Sequence, residues 1–212
     1  MCITNSLFLG AVMKRIKKLA INCLRALLII GNLSVCHATP DFATLENAMK
    51  KGKPALQTCL EGIKRDDPRA DIANILNTTK NEDGRTLLHC VRNAKIATFL
   101  LGQGGNPRIL DNGRQTALVS TLHSNLSDNQ KKAIATALLK DNSDLLKIPS
   151  NRLGWPILFE VARNPSILTF LIDKGADVHQ KDNFGNTVLH RAVIESASQT
   201  VLDLLIEKGI QG

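Results

Sequence analysis

The chain has 212 residues, 27 lysine and arginine against 19 aspartate and glutamate residues, and a formal net charge of +8. Residues 1–38 hold five of the basic residues and no acidic one, which leaves 22 basic and 19 acidic residues in 39–212. That balance is typical of an ordinary protein surface and gives no support for a nucleic-acid partner.

Residues 1–38 are predicted to be a secretory signal peptide. A basic cluster at 14–18 is followed by an apolar stretch over 19–35, and the run that ends at Ala38 has small residues at the positions a signal peptidase reads. We therefore predict cleavage after Ala38. Met13 is an alternative start of translation because it directly precedes the basic cluster.

Two alternatives to a cleaved signal stay open at this point. An uncleaved anchor would place Arg25 near the centre of a membrane helix, which costs about 2.5–3.5 kcal/mol. Lipidation at Cys36 needs a small residue before the cysteine, where Val35 stands. We expect cleavage, no stable membrane span afterwards, and a periplasmic or secreted protein.

Residues 39–80 predict an N-terminal helical cap of about three short helices. Apolar residues recur at helical spacing, and Gly52-Lys53-Pro54 and Asp66-Asp67-Pro68 interrupt the pattern. A stack of repeats needs such a cover, because its first unit would otherwise leave an apolar face in water.

Two cysteines, Cys59 and Cys90, lie beyond the predicted signal peptide. They could pair in an exported protein, but their apolar helical surroundings favour free thiols.

One short phrase recurs along residues 81–212, with starts separated by 30, 40 and 31 residues. Self-similarity at a period near 33 is typical of stacked helical hairpins. The 40-residue spacing predicts a bulge or an extra turn around residues 140–152. The four copies are Thr86-Leu87-Leu88-His89, Thr116-Ala117-Leu118-Val119, Pro156-Ile157-Leu158-Phe159 and Thr187-Val188-Leu189-His190.

With its turns and helix ends, the phrase resembles an ankyrin repeat array, whose pattern is Asp-x-x-Gly-x-Thr-x-Leu-His-x-Ala followed by Leu-Leu-x-x-Gly-Ala. The copies at 83–89 and 183–192 match well. The second has Arg114 in place of glycine and Val119 in place of histidine, and the third has Pro156 for threonine and Phe159 for histidine. The resemblance implies an all-α ankyrin-repeat solenoid of about four helix-turn-helix repeats over 81–212.

The residues of the phrase have physical roles in such a stack. Glycine suits a turn that needs positive φ, threonine can cap a helix start, and the leucines would point between neighbouring units. Gly102 and Gly175 follow apolar runs as left-handed helix stops. The resemblance implies that the histidines hydrogen-bond within and between turns. The structural residues are Gly84, Thr86, Leu88, His89, Thr116, Leu118, Leu158, Gly175, Gly185, Thr187, Leu189 and His190.

Catalytic, metal and cofactor sites are not indicated. His123 and His179 have no second histidine or cysteine at ligand spacing, and nucleophile elbows, phosphate loops and zinc motifs are absent. An enzyme with its centre in residues 41–80 is the alternative, but that segment offers one cysteine, no histidine and no serine. We predict a non-enzymatic chain with no metal and no cofactor.

The resemblance implies that the turn tips and the first helices form a concave recognition face for a protein partner. Tryptophan and arginine dominate protein interfaces, so a patch around Trp155 and Phe184 is the best candidate. Trp155 could instead fold back on the 140–152 connection. The candidate contact residues are Arg85, Gln115, Arg152, Leu153, Trp155, Arg163, Phe184 and Asn186.

The sequence therefore predicts an exported protein-binding module. A bacterial effector directed at a host cell and a resident periplasmic regulator are both compatible with it. The apolar run of the last unit also predicts a homodimer through that end of the stack. The partner's identity does not follow from one sequence.

Overall fold

A computed structural model describes residues 40–209, and these contain α-helices, 3-10 helices and no β-strand. The predicted signal peptide, Met13 and the cleavage site after Ala38 lie outside the described residues. The elements are α1 (Phe42–Lys50), α2 (Lys53–Asp66), α3 (Ile72–Thr78), the 3-10 helix η1 (Leu87–Cys90), α4 (Ala94–Gly102), α5 (Ala117–His123), α6 (Asp128–Leu139), the 3-10 helices η2 (Ser143–Lys147) and η3 (Ile157–Val161), α7 (Pro165–Asp173), α8 (Val188–Ile194) and α9 (Gln199–Glu207).

The elements stack as two columns. The inner column is η1, α5, η3 and α8, and each of these packs on the next. The outer helices α4, α6 and α7 pack on one another in the same order, while α9 pairs with α8. Leucines of the repeated phrase, Leu88, Leu118 and Leu158, are buried between units. The predicted all-α ankyrin-repeat solenoid of four units is confirmed.

The inner helices of the first and third units are short 3-10 helices, whereas the predicted hairpins had ordinary helices there. Thr86 is followed after seven residues by Asn93, which caps α4, and Pro156 after eight by Asn164, which caps α7. In the second unit the next cap, Ser127, comes eleven residues after Thr116. A short span leaves room for only one tight turn, which is where 3-10 geometry is common.

Each unit begins at a loop tip built on an Asn or Asp side chain. In the second unit the Asp111 carboxylate accepts backbone N–H bonds two and four residues on, from Gly113 and Gln115, both at 2.9 Å. Asn151 and Asp182 accept the equivalent pairs in the third and fourth units, and Asn81 accepts the N–H of Arg85 in the first. The residue three places after each Asn or Asp has positive φ, and this residue is Gly84, Arg114, Gly154 or Gly185.

The long connection after α6 contains an extra turn, which was one of the two predicted outcomes. This turn is η2, and it is fastened to the preceding unit by Arg108, whose Nε and Nη2 each lie 2.7 Å from the Asp144 carboxylate. Leu145 and Leu146 of η2 are buried in the core.

The segment before the first repeat is a helical hairpin with one extra helix. α1 packs on η1 and α2 on α4, so the pair covers both columns of the first unit. In α3, Asn77 donates to the Gly104 carbonyl at 3.0 Å and accepts the N–H of Asn106 at 2.7 Å. Cys59 and Cys90 are free thiols.

The left-handed stop of α4 is Gly104, with φ 87°, and the prediction of Gly102 in that role was wrong. Gly102 is the last residue of α4. The N–H of Gly105 reaches back to the Leu100 carbonyl at 2.9 Å, as that of Ala176 does to Leu171 after Gly175. This closing bond, which Gly105 donates three residues beyond Gly102, decides which glycine turns left-handed.

Candidate protein-binding surface

An apolar groove of about 190 Å³ lies between the tips and inner helices of the third and fourth units. Among residues 40–209, five large hydrophobic side chains are exposed, and three of them line this groove. Phe184 is 73% exposed, Ile194 69% and Leu153 46%. The full lining is Leu153, Trp155, Phe159, Asp182, Phe184, Asn186, Arg191 and Ile194.

Trp155 forms the floor of the groove and is partly buried. Its ring lies 6.1 Å from that of Phe159, tilted by 50°, and the Arg191 guanidinium lies 4.0 Å from its centroid. Arg191 is also paired with Glu195, the residue that caps the C-terminus of α8. A stacked guanidinium contributes about 0.5–1 kcal/mol at an exposed site and holds the indole in one orientation.

The carboxylate of Asp182 belongs to the turn and is already hydrogen-bonded. Slight burial opposes its ionisation, but bonds from the Asn186 amide and from the N–H of Phe184 and Asn186 outweigh this and lower the pKa of Asp182. The groove therefore offers apolar surface, a tryptophan face and one guanidinium. Such a lining suits an apolar side chain of a protein better than a reaction.

Glu160 fixes the tip of the third unit through a hydrogen bond from Ser150. Its carboxylate accepts from the hydroxyl of the fully buried Ser150 and lies 2.7 Å from His123 Nε2. Burial raises the pKa of Glu160, but the hydrogen bonds from His123 and Ser150, with the charge of Arg191, outweigh it and bring the pKa below its usual value. His123, predicted to be an ordinary surface residue, therefore links the second unit to the third.

Four of the eight candidate contact residues, Leu153, Trp155, Phe184 and Asn186, come together in the groove. Arg152 lines a separate recess beside the same tips. Arg85, Gln115 and Arg163 lie outside both, and Arg85 is paired with Asp111 at 3.3 Å.

The four groove residues that are absent from the candidate set are Phe159, Asp182, Arg191 and Ile194. Ile194 was recognisable, because it stands at the same place in the repeated phrase as Arg163. The stacking of Arg191 on Trp155 depends on side chains 36 residues apart and has no local signal.

The histidines of the phrase differ between the first and fourth units. His89 Nδ1 accepts the Thr86 N–H at 3.2 Å, so its proton lies on Nε2, which donates to the Gln115 carbonyl of the next unit at 3.1 Å. Burial lowers the pKa of His89, although its bond to Gln115 opposes the shift. His190 makes the same Nδ1 contacts with Thr187 at 3.2 and 2.9 Å, and its Nε2 has no partner within residues 40–209.

The other structural residues of the phrase hold their units in place. Thr116 Oγ1 accepts the Val119 N–H at 3.4 Å at the start of α5, and Leu118 is fully buried. Gly175 has φ 93° after α7. Leu189, in the fourth unit, is only partly buried.

The described residues provide little for chemistry. Burial raises the pKa of the Cys59 and Cys90 thiols, which keeps them protonated and poorly nucleophilic at neutral pH. In residues 40–209 no group of three His, Cys, Asp or Glu side chains is placed to hold a metal ion. None of the helices in this range is long and apolar enough to span a membrane.

Comparison with known proteins gives one family match. Residues 122–212 match the family model described as ankyrin repeats, in three copies. The match begins at the end of α5 in the second unit, takes in the third and fourth units and includes the whole groove.

Two curated proteins are similar to part of the chain. The phosphocholine transferase AnkX of Legionella pneumophila is 28% identical over 115 residues, which is 53% of this chain and 12% of AnkX. An L-asparaginase of Dirofilaria immitis is 32% identical over 127 residues, 58% of this chain and 20% of that protein. The chain thus spans at most a fifth of either relative, and their names describe unrelated reactions. Ankyrin repeats indicate a protein-binding module.

Proposed function

We propose that the chain is a non-enzymatic protein-binding module that docks a protein partner on its concave face. The supporting observation is that Leu153, Phe184 and Ile194, three exposed large apolar side chains, share one groove. An exposed apolar cluster costs solubility, and in a soluble domain it marks a contact surface. The half-buried Trp155 and the stacked Arg191 add residue types that dominate binding energy.

Affinity capture with matched variants tests the groove. The bait is the full chain, compared with a Leu153→Ala, Phe184→Ala double variant, which removes exposed side chains and leaves Trp155 in place. The control is Ile206→Ala, because Ile206 is 60% exposed but lies on the outer helix α9. We expect the double variant to lose the partner and the control to retain it. Equal capture by all three baits would move the contact surface elsewhere.

We further propose that the protein is exported, with cleavage after Ala38, and acts either as an effector directed at a host cell or as a periplasmic regulator. The support is the basic and then apolar pattern of residues 13–38. N-terminal sequencing of the mature protein should begin at Thr39, and fractionation separates the two roles. Protein found only in the periplasm would contradict the effector role, and an intact N-terminus would contradict cleavage.

The exposed apolar side chains of the fourth unit support self-association as a second proposal. Val193 is 61% exposed, whereas Leu122 and Ala162, at the same place in the second and third units, are buried under the next unit. His190 Nε2, which has no hydrogen-bond partner within residues 40–209, belongs to the same unit. We expect a dimer through the fourth unit by sedimentation, and dissociation in a Val193→Asp variant. A monomer at high concentration would contradict the proposal.

The enzyme alternative in residues 41–80 is weaker than binding. The only cysteine there, Cys59, has a pKa raised by burial, and the segment contains no histidine to act as its base. Hydrolase activity that is present in the full chain and lost in Cys59→Ser would overturn this conclusion.

A further inference from the structure

The tips of neighbouring units are joined by an asparagine in two of the three junctions. Asn112 donates its backbone N–H to the Asp83 carbonyl at 2.9 Å and its amide to the Glu82 carbonyl at 3.0 Å, and its side chain lies against Gly84. At the last junction Asn183 donates to the Leu153 carbonyl at 3.3 Å and lies against a glycine in the same way. Asparagine against glycine therefore joins these tips.

Arginine occupies both of these places at the middle junction. Arg152 follows the turn residue Asn151, as Asn112 follows Asp111, and Arg114 stands where the other tips have glycine. Arg114 has φ 63°, a left-handed conformation that is unfavourable for a residue with a side chain. Within the described part of the chain neither guanidinium is paired with a carboxylate.

The two arginines border one recess of about 510 Å³, whose other lining residues are Pro149, Asn151, Gly154 and Asn183. Two like charges at one recess repel each other, and an anion between them would remove that repulsion. The planar guanidinium fork matches a carboxylate, and the asparagine amides can add neutral donors.

We propose that this recess binds the carboxylates of an acidic segment of the protein partner. The proposal rests on the proposed function, because the groove and the recess are bordered by consecutive residues of the same two tips. Leu153 and Phe184 line the groove, while Arg152 and Asn183 line the recess. A segment that places an apolar side chain in the groove therefore has its neighbouring residues beside the arginines.

The first tip gives the segment a direction. Glu82 and Asp83 are exposed at this tip, which lies at the other end of the row of tips from the groove. Their negative charges repel an acidic segment. The acidic part of the partner therefore lies at the middle junction, next to the apolar anchor.

Titration of the full chain with fluorescein-labelled synthetic peptides tests the proposal. One peptide carries paired glutamates beside a leucine–phenylalanine core, and matched peptides carry lysines or phosphoserines in place of the glutamates. We expect the glutamate peptide to bind more tightly than the lysine peptide, and to weaken as salt is raised. Arg114→Gly and Arg152→Gln should each weaken it by about two- to five-fold, because single exposed charge pairs contribute little.

The controls separate charge from folding. Arg114→Gly removes the charge and also a strained backbone, so weaker binding by this variant does not reflect a loss of stability. Arg65→Gln removes an exposed arginine of the cap helix α2 and should not change binding.

Each remaining outcome has a defined meaning. Equal binding of the glutamate and lysine peptides, or unchanged binding by both arginine variants, would overturn the acidic-segment proposal. Preference for phosphoserine over glutamate would overturn it by assigning the recess to a phosphoryl group. If Leu153→Ala, Phe184→Ala abolishes binding while the arginine variants do not, the groove stands and the recess fails. The reverse result would preserve the recess and refute the groove.

Discussion

Replacing Arg114 by glycine should stabilise the protein. Arg114 has φ 63°, and the equivalent residues of the other three tips are glycines with φ 74°, 74° and 85°. A left-handed conformation costs an L-residue about 1–2 kcal/mol, and glycine avoids this cost. Glycine also makes the unfolded chain more flexible, which lowers the free energy of unfolding by about 0.5–1 kcal/mol. The net gain should be about 0.5–1 kcal/mol.

Urea and thermal unfolding, followed by circular dichroism at 222 nm as a roughly helix-specific signal, would measure this gain. For a domain of this size it corresponds to a rise in Tm of about 1–4 °C. The matched control is Arg114→Ala, which removes the charge but keeps a side chain at the same φ.

The comparison of the two variants identifies the cause. If strain dominates, only glycine should stabilise. An equal gain from alanine would show that repulsion between Arg114 and Arg152 is the larger effect, and a loss of stability with glycine would refute the reasoning altogether.

Three further predictions concern the residues that hold the stack together. His89→Val should lower the free energy of unfolding by about 1–3 kcal/mol at neutral pH, because the Thr86 N–H loses its acceptor and the Gln115 carbonyl keeps only the Asp111 N–H. Because the pKa of His89 is lowered in the folded state, the stabilisation that His89 provides is present above the pKa of the unfolded chain and declines as pH falls below that value. Urea titrations near pH 5 should therefore show a smaller difference in unfolding free energy between His89→Val and wild type. Glu160→Gln should also destabilise the protein at neutral pH. Because the pKa of Glu160 is lowered, the difference in unfolding free energy from wild type should shrink only as pH falls below the usual value near 4.5. A difference that stays constant down to acid pH would contradict the hydrogen bonds from His123 and Ser150 to the Glu160 carboxylate. Gly84→Ala should cost about 2–3 kcal/mol, since its Cβ would lie 2.3 Å from Asn112 Oδ1, whereas Gly185→Ala, with open space around it, should cost only the backbone term of about 1–2 kcal/mol.

The fold could be predicted from the sequence because its signal is repeated. The Thr-x-Leu-His phrase and its spacing place four units, and the proline and glycine breaks place the cap helices. The short inner helices could have been anticipated by counting from Thr86 to Asn93, a distance that leaves room for one turn. The choice of Gly104 over Gly102 depends on a closing hydrogen bond to Leu100 and is not visible in an apolar run followed by glycines.

The candidate surface was predictable in part. Leu153 and Phe184 stand two residues after Asn151 and Asp182, at the same place in neighbouring tips, so the repeat itself brings them together. Arg85 is drawn away by Asp111, which is buried and needs a partner. The stacking of Arg191 on Trp155 follows from side-chain conformations in a neighbouring unit, which no local pattern encodes.

The construction of the tips explains why binding chemistry can vary along this scaffold without disturbing it. The side chain of Asn81, Asp111, Asn151 or Asp182 receives backbone N–H groups, so the turn requires a particular residue at that place and positive φ three residues on. The residues that only donate a backbone N–H to this side chain can carry any side chain of their own. The second residue after the turn residue is Asp83 in the first unit, Gly113 in the second, Leu153 in the third and Phe184 in the fourth, and the row changes from acidic to apolar. The tips therefore present a graded surface on a constant backbone, and changing one tip should alter affinity for the proposed partner more than it alters stability.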